Sequence, residues 1–325
     1  MNKTENFNAL VIGAGGFGKH YARILSQLES SDLTSSIDSI IITRTSLDSA
    51  LAQAEDIQKN SQRNIIGAKI SNLDELKDVL DKYKPAFTAV AAKDRKIGDD
   101  IHPLYVAHSI RYGIVLCEKP FANARGDGKS LDFFDFTKLN KFGLELPFFV
   151  IYNSIEQNIE LYQRLLNAKS IRFAWFTKGV GDDVIDNLIL HPWSLIPSEF
   201  ILTEARVEDE GSKAKLDIDY YYKGRKINIE IFLIYGSNFT GFEIDGCTMG
   251  IKREGAINTI IDTGLPLEKT AELGNEGLKG KELLAVKNPL KQHIIAALNG
   301  NPIVGLKKAY DSQLFLEIIH RYLNE

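Results

Sequence analysis

The chain lacks several features that would mark a specialised class of protein. It has only two cysteines, Cys117 and Cys247, in 325 residues, too few for a disulfide framework or a cysteine-based zinc site. The formal net charge of -4 gives no electrostatic footprint for nucleic acid or an anionic membrane. No apolar run approaches the length of a membrane span, and the N-terminus shows no signal-peptide pattern. We therefore expect a cytoplasmic protein without a metal site, a nucleic-acid partner or a membrane partner.

The overall composition is that of an ordinary globular protein. Hydrophobic residues make up 44% of the chain and charged residues 25%, which are normal values for folded domains. A chain of 325 residues has room for two domains, each with its own core.

A glycine-rich break in an apolar run is the most informative stretch. Residues 9–25 are predicted to form a strand, a tight turn and a helix, with Gly13, Gly15 and Gly18 in GxGxxG spacing. Gly13 allows the sharp turn, Gly15 lets a pyrophosphate approach the backbone, and Gly18 allows close helix packing. This context predicts a dinucleotide-binding turn, and the alternative is a turn without a ligand. The predicted contacts are Gly13, Gly15, Gly16, Phe17 and Gly18.

The end of the second predicted strand, residues 39–45, decides which dinucleotide is favoured. An acidic residue there would bind both ribose hydroxyls of NAD, but the sequence has Thr43, Arg44 and Thr45. A guanidinium with hydroxyl neighbours suits a 2′-phosphate. The residues therefore favour NADP over NAD, with Arg44 as a solvated loop residue beside Asp48 as the alternative.

Strand and helix patterns alternate through the first part of the chain. Strands are predicted at residues 64–69, 86–92 and 114–117, and helices at 47–62, 73–80 and 102–110. This alternation is typical of a doubly wound parallel sheet. A polar loop, Lys93–Asp100, follows the strand at 86–92, at the sheet edge where such folds bind ligands. A solvated loop is the simpler interpretation of this charge run.

Glu118, Lys119 and Pro120 follow the strand at 114–117. Lys119 is predicted to lie where the nicotinamide of a bound dinucleotide would be, and a lysine there can donate or accept a proton at a carbonyl or hydroxyl. Pro120 ends sheet pairing and fixes the turn. A surface lysine beside Glu118 is the alternative.

Three features together resemble the Gfo/Idh/MocA family of oxidoreductases. They are the glycine turn at 13–18, His102 eleven residues before Gly113, and the EKP-like segment 117–121. The resemblance implies that Lys119 is the active-site lysine and that Glu118 and Pro120 shape the nicotinamide end of the cofactor pocket. The family usually has a Thr-Pro-type turn after the strand at 87–92, where this chain has the longer loop 93–100.

The second half is predicted to form a second domain. An apolar run at residues 147–153 is interpreted as a buried strand whose last residues, Tyr152 and Asn153, are similar to a family pair at the entrance to the substrate domain. They either contact substrate or belong to the core. A short helix is predicted before this run, at residues 131–139. Beyond the run, strands at 171–176, 200–207, 214–222, 227–235 and 241–251, with turns such as Lys223–Lys226 and Asp245–Gly246, predict an open, mostly antiparallel sheet. By resemblance, this sheet makes a homo-oligomer.

Residues 181–193 carry the remaining site candidates. The family keeps an aspartate and a histidine one helical turn apart here. His191 matches the histidine, but four residues earlier stands Asn187, and Asp186 lies five residues back, about a hundred degrees away on a regular helix. Either Asn187 or Asp186 is predicted to position the substrate. His191 is otherwise a helix-end or core histidine, and Trp193 either walls the substrate or belongs to the core.

The predicted architecture is a Rossmann domain at residues 1–121 and an α+β domain at 122–325, with the C-terminal helices at 288–323 packing back toward the first. The predicted function is NADP(H)-dependent hydride transfer to or from a C–OH or C=O carbon of a small, polar, sugar-like molecule. Lys119 would move the proton, with His191 orienting or sharing it. The alternative is a dinucleotide-binding regulator or scaffold that has lost catalysis, which the residue at Asn187 supports.

Overall fold

The computed structural model describes residues 6–33, 35–92, 101–180 and 183–324. The predicted polar loop Lys93–Asp100 and the first two residues of the stretch 181–193 lie outside the described residues. Strands and helices alternate through the first part, which contains β1 (Asn6–Ile12), α1 (Gly18–Gln27), β2 (Ser36–Arg44), α2 (Leu47–Gln58), β3 (Asn64–Lys69), α3 (Leu73–Tyr83), β4 (Phe87–Val90), α4 (Ile101–Ser109), β5 (Ile114–Glu118) and β6 (Phe142–Glu145).

The rest of the chain is richer in strands. It contains α5 (Phe148–Gln157), α6 (Ile159–Asn167), β7 (Ser170–Thr177), α7 (Val184–Leu188), α8 (Leu190–Trp193), β8 (Ile201–Asp209), β9 (Lys213–Tyr222), β10 (Arg225–Tyr235), β11 (Phe239–Ile244), β12 (Cys247–Glu254), β13 (Ile257–Asp262), α9 (Leu267–Leu273), β14 (Lys281–Lys287), α10 (Pro289–Leu298) and α11 (Leu306–Asn324). No helix in the described part of the chain is long and apolar enough to cross a bilayer.

The first sheet is parallel throughout, with strand order β3-β2-β1-β4-β5-β6. The chain moves outward from β1 to β3 and then returns to add β4 on the other side of β1. The strand order therefore reverses between β1 and β4, and open α/β sheets bind their ligands at the carboxyl ends of such a pair. The predicted parallel sheet is confirmed.

The central strands of this sheet are buried along consecutive residues. Leu10 and Val11 on β1 and Ile40, Ile41 and Ile42 on β2 have no exposed surface. Consecutive burial is the pattern of a parallel strand covered on both faces. Apolar runs such as these predicted the strands correctly.

Two compact units divide the chain. One contains residues 1–124, 128–145 and 291–313, and the other contains 125–127, 146–290 and 314–325. This division is discontinuous and differs from the predicted one at 121. Residues 291–313 belong to the first unit because the Leu144 N–H donates to the Val304 carbonyl at 2.9 Å and His293 Nε2 lies 2.9 Å from the Leu144 carbonyl.

The second unit is built on an eight-stranded sheet of order β14-β13-β12-β11-β7-β10-β9-β8. All neighbouring strands are antiparallel except β7 and β10, so the predicted open, mostly antiparallel sheet is confirmed. Burial alternates along β10, where Ile227, Ile229, Ile231 and Leu233 are fully buried. Glu230 on the opposite face forms an ion pair with Arg172 at 2.9 Å.

Turn chemistry fixes the register of two hairpins in this sheet. Lys223 and Gly224 join β9 to β10 with φ of 48° and 76°, and Asp245 and Gly246 join β11 to β12 with φ of 47° and 81°. Two consecutive positive φ values are those of a type I′ turn. The predicted strand at 241–251 is therefore two strands separated at Asp245–Gly246.

The predicted strand at residues 147–153 is wrong, because this segment begins helix α5. Pro147 occupies the N-cap, a position near the helix start where the missing N–H of proline is tolerated. A short apolar run does not distinguish a buried strand from a buried helix, and the β-branched Val150 and Ile151 favoured the wrong choice. The strand in this part of the chain is instead β6, which was not predicted and which pairs with β5.

Other predicted boundaries also differ. The predicted helix at residues 131–139 is a single 3₁₀ turn, Lys129–Phe133. The strands β13 and β14, which complete one edge of the second sheet, were not predicted. β14 pairs with β13 across a register shift between Ile260 and Ile261, and such irregular pairing leaves a weak sequence signal.

Candidate functional site

The glycine turn after β1 passes unusually close to the neighbouring backbone. Gly13 has φ +80°, and a Cβ there would lie 2.5 Å from the Ala92 Cα. A Cβ on Gly18 would lie 2.2 Å from the Gly13 carbonyl oxygen. These distances exclude any side chain at both positions, since real Cβ atoms do not approach backbone so closely. The close packing of the turn thus depends on two of its glycines.

Gly15 differs from the other two because the space above it is open enough for a Cβ. The nearest atom to a Cβ there would be Nη2 of Arg44, at 3.5 Å. The protein's own packing therefore does not require glycine at this position. A bare backbone facing a cavity is what close approach of a pyrophosphate needs.

A cavity of about 720 Å³ lies over this turn at the carboxyl edge of the parallel sheet. Its volume is within the range of small-molecule and cofactor sites. Eight of the predicted cofactor residues line it: Gly13, Gly15, Gly16, Phe17, Thr43, Arg44, Thr45 and Glu118. Gly18 and Lys119 are not among the lining residues, and the sequence did not indicate the contributions of Ile12, Ile70, Ser71, Ala91, Ala92 and Tyr105.

At the end of β2, two of the predicted cofactor residues have different environments. Thr43 is 1% exposed, and its hydroxyl donates to the Val11 carbonyl at 3.3 Å. Arg44 extends over Gly15, and its Nη1 donates to the Gln53 side-chain oxygen at 3.0 Å. No ion pair joins Arg44 to Asp48 or another acid within the described residues. The guanidinium thus faces the cavity with a neutral partner.

The loop after β5 is held by His102, which the sequence analysis noted only through its spacing. His102 Nδ1 lies 2.8 Å from the Pro120 carbonyl, and Nε2 lies 2.9 Å from the Ala92 carbonyl. The imidazole thereby bridges the end of β4 and the residue after Lys119. The peptide between Lys119 and Pro120 is cis. This bridge fixes the position of the Lys119 backbone at the sheet edge.

A second acidic residue, missed from the sequence, lies beside Glu118. Glu145 ends β6 in register with Glu118 on β5 and is 3% exposed. Burial and the charge of Glu118 raise the pKa of the Glu145 carboxyl to about 8, against an opposing effect of Lys119. The available signal was a glutamate inside the apolar run Leu144–Leu146, where an ordinary core strand has none.

In the second unit, His191 lies on α8 among aromatic rings. Its imidazole stacks on Trp175 with ring centroids 5.9 Å apart and packs edge-on against Phe148 at 5.2 Å. Trp193, on the same helix, stacks on Phe315 at 5.6 Å. Asn187 on α7 donates from its side-chain amide to the Asp183 carbonyl at 3.1 Å. The substrate roles of these residues remain predictions.

Asp186 has a partner that the sequence did not suggest. Its carboxylate lies 2.7 Å from Nε2 of His320 on α11, and the two residues are 134 positions apart. The hydrogen bond with Asp186 raises the pKa of His320. When His320 is protonated, Asp186 and His320 form an ion pair.

Tyr152 and Asn153 lie on α5 and not at a strand end. Tyr152 is 4% exposed and packs against Phe149 and Tyr162, with centroid distances of 6.4 Å to each. Burial raises its pKa. This environment favours the core alternative for Tyr152, while the structure gives Asn153 an intermediate exposure.

Comparisons with known proteins identify the fold. No protein-family model and no curated protein matches the sequence. An oxidoreductase domain protein from Kribbella flavida matches with a TM-score of 0.66 at 11% identity, covering 98% of this chain and 97% of that one. A 3-ketoreductase from Actinomadura kijaniata, solved with TDP-benzene and NADP, matches with a TM-score of 0.64 at 10% identity, covering 97% of both chains.

A Gfo/Idh/MocA family oxidoreductase from Vibrio cholerae matches with a TM-score of 0.61 at 14% identity, covering 98% of both chains. At such low identities the likeness establishes the fold alone. The chain has the fold of the Gfo/Idh/MocA oxidoreductases, so the resemblance based on the sequence motifs is confirmed at the level of the fold.

The glycine contacts predict different results for two alanine variants. Gly18→Ala places a methyl group against the Gly13 carbonyl and should destabilise the protein by roughly 1–3 kcal/mol, as overpacking does. Gly15→Ala is the matched control, because its methyl group meets only ordinary contacts. For Gly15→Ala we expect normal stability but at least about tenfold weaker binding of a nicotinamide dinucleotide. Urea unfolding measures the stability of the two variants, and calorimetric titration measures their binding of the dinucleotide. A Gly18→Ala protein as stable as the wild type would contradict the packing argument.

The pair of Asp186 and His320 predicts a pH-dependent contribution to stability. Because the pKa of His320 is raised in the folded state, the contribution is present below the unfolded pKa of about 6.5 and is lost as pH rises through the folded pKa. Asp186→Asn should remove this dependence, on the order of 1 kcal/mol. Unfolding free energies across this pH range test it, with Asp78→Asn, which changes an exposed aspartate on α3, as the control that keeps it. An unchanged pH dependence in Asp186→Asn would refute the assignment.

Proposed function

We propose that this chain is an NADP(H)-dependent oxidoreductase that transfers a hydride between nicotinamide C4 and a C–OH or C=O carbon of a small, polar, sugar-like molecule. The observation that carries the proposal is the cavity over Gly15, lined by Arg44 at one end and Glu118 at the other. The fold shared with solved oxidoreductases, one of them a 3-ketoreductase in complex with NADP, supports it.

The residues of the cavity fit a nicotinamide dinucleotide. The bare backbone at Gly15 leaves room for a pyrophosphate, and the positive end of the α1 dipole lies at the same turn. Arg44 can form paired hydrogen bonds with a 2′-phosphate without first breaking an ion pair. No acidic residue stands at positions 43–46 to repel that phosphate or to bind a 2′-hydroxyl. NADP is therefore favoured over NAD.

Lys119 is the proposed proton donor and acceptor. The bound dinucleotide would supply the hydride, and an ammonium at Nζ would give its proton to the carbonyl oxygen in the direction of reduction. In the reverse direction the neutral amine would accept the proton of a hydroxyl. His191 is proposed to orient or share this proton, and Asn187 to hold a substrate hydroxyl by a hydrogen bond.

A second candidate function has one observation in its favour. Asn187 stands where the family resemblance expects an aspartate, and the neighbouring Asp186 is paired with His320. A chain of this fold that binds dinucleotide and regulates or scaffolds without catalysis is the alternative. Screening NADPH oxidation against carbonyl compounds separates the two, because tight NADPH binding without turnover of any compound would favour the regulator.

Replacing Arg44 tests the cofactor preference. We expect Arg44→Ala to weaken NADP binding about 10- to 100-fold, the range of one or two charge-assisted hydrogen bonds, and to leave NAD binding unchanged. Fluorescence titration with each dinucleotide measures this. Arg23→Ala is the matched control, since Arg23 is an exposed arginine with one surface ion pair to Asp56. An equal loss of affinity for NADP and NAD in Arg44→Ala would show that Arg44 does not bind the 2′-phosphate.

Replacing Lys119 tests the proposed chemistry. We expect Lys119→Ala to bind NADPH normally and to lose activity by roughly 10²- to 10⁴-fold, the usual contribution of a general acid or base. The exposed Lys59 provides a control in Lys59→Ala. The measurement is single-turnover NADPH oxidation with a carbonyl substrate found by the screen. Unchanged turnover in Lys119→Ala would rule out this mechanism.

A further inference from the structure

Two carboxyl groups end neighbouring strands beside Lys119. Glu118 on β5 and Glu145 on β6 are register partners in the parallel sheet. Register partners on adjacent parallel strands project from the same face, with the strands about 4.8 Å apart. Both residues are buried, with exposures of 8% and 3%. The fold therefore places two acids side by side in the interior, next in sequence to the proposed proton donor.

Among the residues that the structure describes, Lys119 is the one positive charge that acts on Glu145. In the same part of the chain, the Oε1 of Glu145 is buried without a hydrogen-bond partner. An ionised carboxylate in such a place is costly, whereas a protonated carboxyl is tolerated far better. Two ionised carboxylates as neighbours would also repel each other. The three side chains of Glu118, Glu145 and Lys119 have no net charge if Lys119 is an ammonium and one of the two acids is ionised. If both acids are ionised, the net charge of the three side chains is negative.

Other titratable groups near the pair do not supply the missing positive charge. Tyr21 on α1 is fully buried, and burial and the two glutamates raise its pKa. The Cys117 thiol on β5 is buried in the same way, with a raised pKa. His293 on α10, which contacts the Leu144 carbonyl, has its pKa lowered to about 4 by burial. His102 on α4 hydrogen-bonds the carbonyls of Ala92 and Pro120, and the charged groups that act on Glu145 are Glu118 and Lys119.

We propose that Glu145 is a positioning residue for Lys119: it keeps its proton at neutral pH, so that the buried acid pair carries one negative charge, on Glu118, which the Lys119 ammonium balances. The functional meaning of this arrangement rests on the proposed function. When Glu145 releases its proton to water at higher pH, the added negative charge holds the Lys119 proton more tightly. Lys119 then becomes a weaker acid toward a carbonyl oxygen.

This arrangement affects how tightly Lys119 holds its proton in two ways. One ionised neighbour, Glu118, favours the ammonium form of Lys119, which a proton donor requires. A neutral Glu145 prevents the additional attraction that would make the proton harder to transfer. The raised pKa of Glu145, about 8, agrees with this charge state and places its ionisation just above neutrality.

The protonation of Glu145 can be measured without substrate or cofactor. Infrared spectra of the wild-type protein should show the C=O stretch of a buried carboxylic acid at neutral pH, and the band should disappear as the pH rises through about 8. Glu145→Gln should lack the band, while Glu55→Gln, which changes an exposed acid on α2, should keep it. Absence of this band in the wild-type protein overturns the proposal, and this measurement does not depend on a folded variant.

The effect on Lys119 is measured by NMR of the lysine side chain, assigned with Lys119→Arg. In Glu145→Gln, the pH at which Lys119 loses its proton should fall by roughly one unit relative to wild type, because the ionised neighbour is gone. Glu55→Gln should leave it unchanged. A purely structural Glu145 would not move this titration, so identical curves for wild type and Glu145→Gln refute the proposal.

These measurements are separate from the test of the proposed function. If the infrared and NMR results are as expected but no NADPH binding or turnover is found, the acid pair is real and the proposed function is wrong. If NADPH-dependent turnover is found and Lys119 titrates identically in Glu145→Gln, the function stands and the role of Glu145 is refuted.

Discussion

The close approach of the glycine turn to the end of β4 determines the geometry of the rest of the cavity. At Gly13 the main chain passes so near Ala92 that a Cβ would lie 2.5 Å from its Cα. The Ala91 N–H donates to the Ile12 carbonyl at 2.9 Å, and the Ala14 N–H donates to the Thr43 carbonyl at 2.9 Å. Three strand ends are thereby joined at the place where the strand order reverses.

From Ala92 the connection continues through a side chain. His102 bridges the carbonyls of Ala92 and Pro120, which ties the turn, through β4, to the loop that carries Lys119. A dinucleotide that binds over Gly15 would therefore meet Glu118, and these contacts hold the main chain of Lys119 in place next to it. In this fold the catalytic geometry proposed here depends on backbone packing as much as on the reactive side chain.

The two ends of the cavity also differ in charge. Arg44, hydrogen-bonded to the neutral Gln53, makes the β2 end positive, whereas the charge of Glu118 at the β5 end is balanced by Lys119 in the arrangement proposed above. A ligand with a phosphate at one end and a ring without a negative charge at the other would match this distribution. NADP has a 2′-phosphate at one end and the nicotinamide ring at the other. The charge distribution of the cavity therefore supports the proposed cofactor independently of the glycine pattern.

Short sequence patterns predicted those parts of the molecule whose backbone conformation depends on a few neighbouring residues. The turn at Gly13 and Gly18, the alternation of strands and helices, and the hairpin residues Lys223–Gly224 each reflect a backbone requirement that only a few residue types meet. The segment at 147–153 was mistaken because burial alone, without a period, fits either a helix or a strand. The strand β6 was missed for the same reason, because the segment that follows it in the chain was predicted as the strand instead.

The pairings that give the site its electrostatics could not be predicted in this way. Glu145 meets Glu118 only through the register of β5 and β6, and Asp186 meets His320 across 134 residues. Such pairs depend on how distant segments pack, which neither composition nor spacing encodes. The sequence thus identified Lys119 as a candidate but not the acid that lies beside it.

These distant pairings also change how the departure at Asn187 is interpreted. A side-chain amide does not act as an acid or a base near neutral pH, and the adjacent carboxylate of Asp186 is already bound to His320. In the proposed reaction, the proton must then come chiefly from Lys119, next to the buried pair of Glu118 and Glu145. In an inactive scaffold, a buried carboxyl at this place would bring a desolvation cost and no function. Glu145 therefore has a role in the proposed enzyme and none in the inactive scaffold.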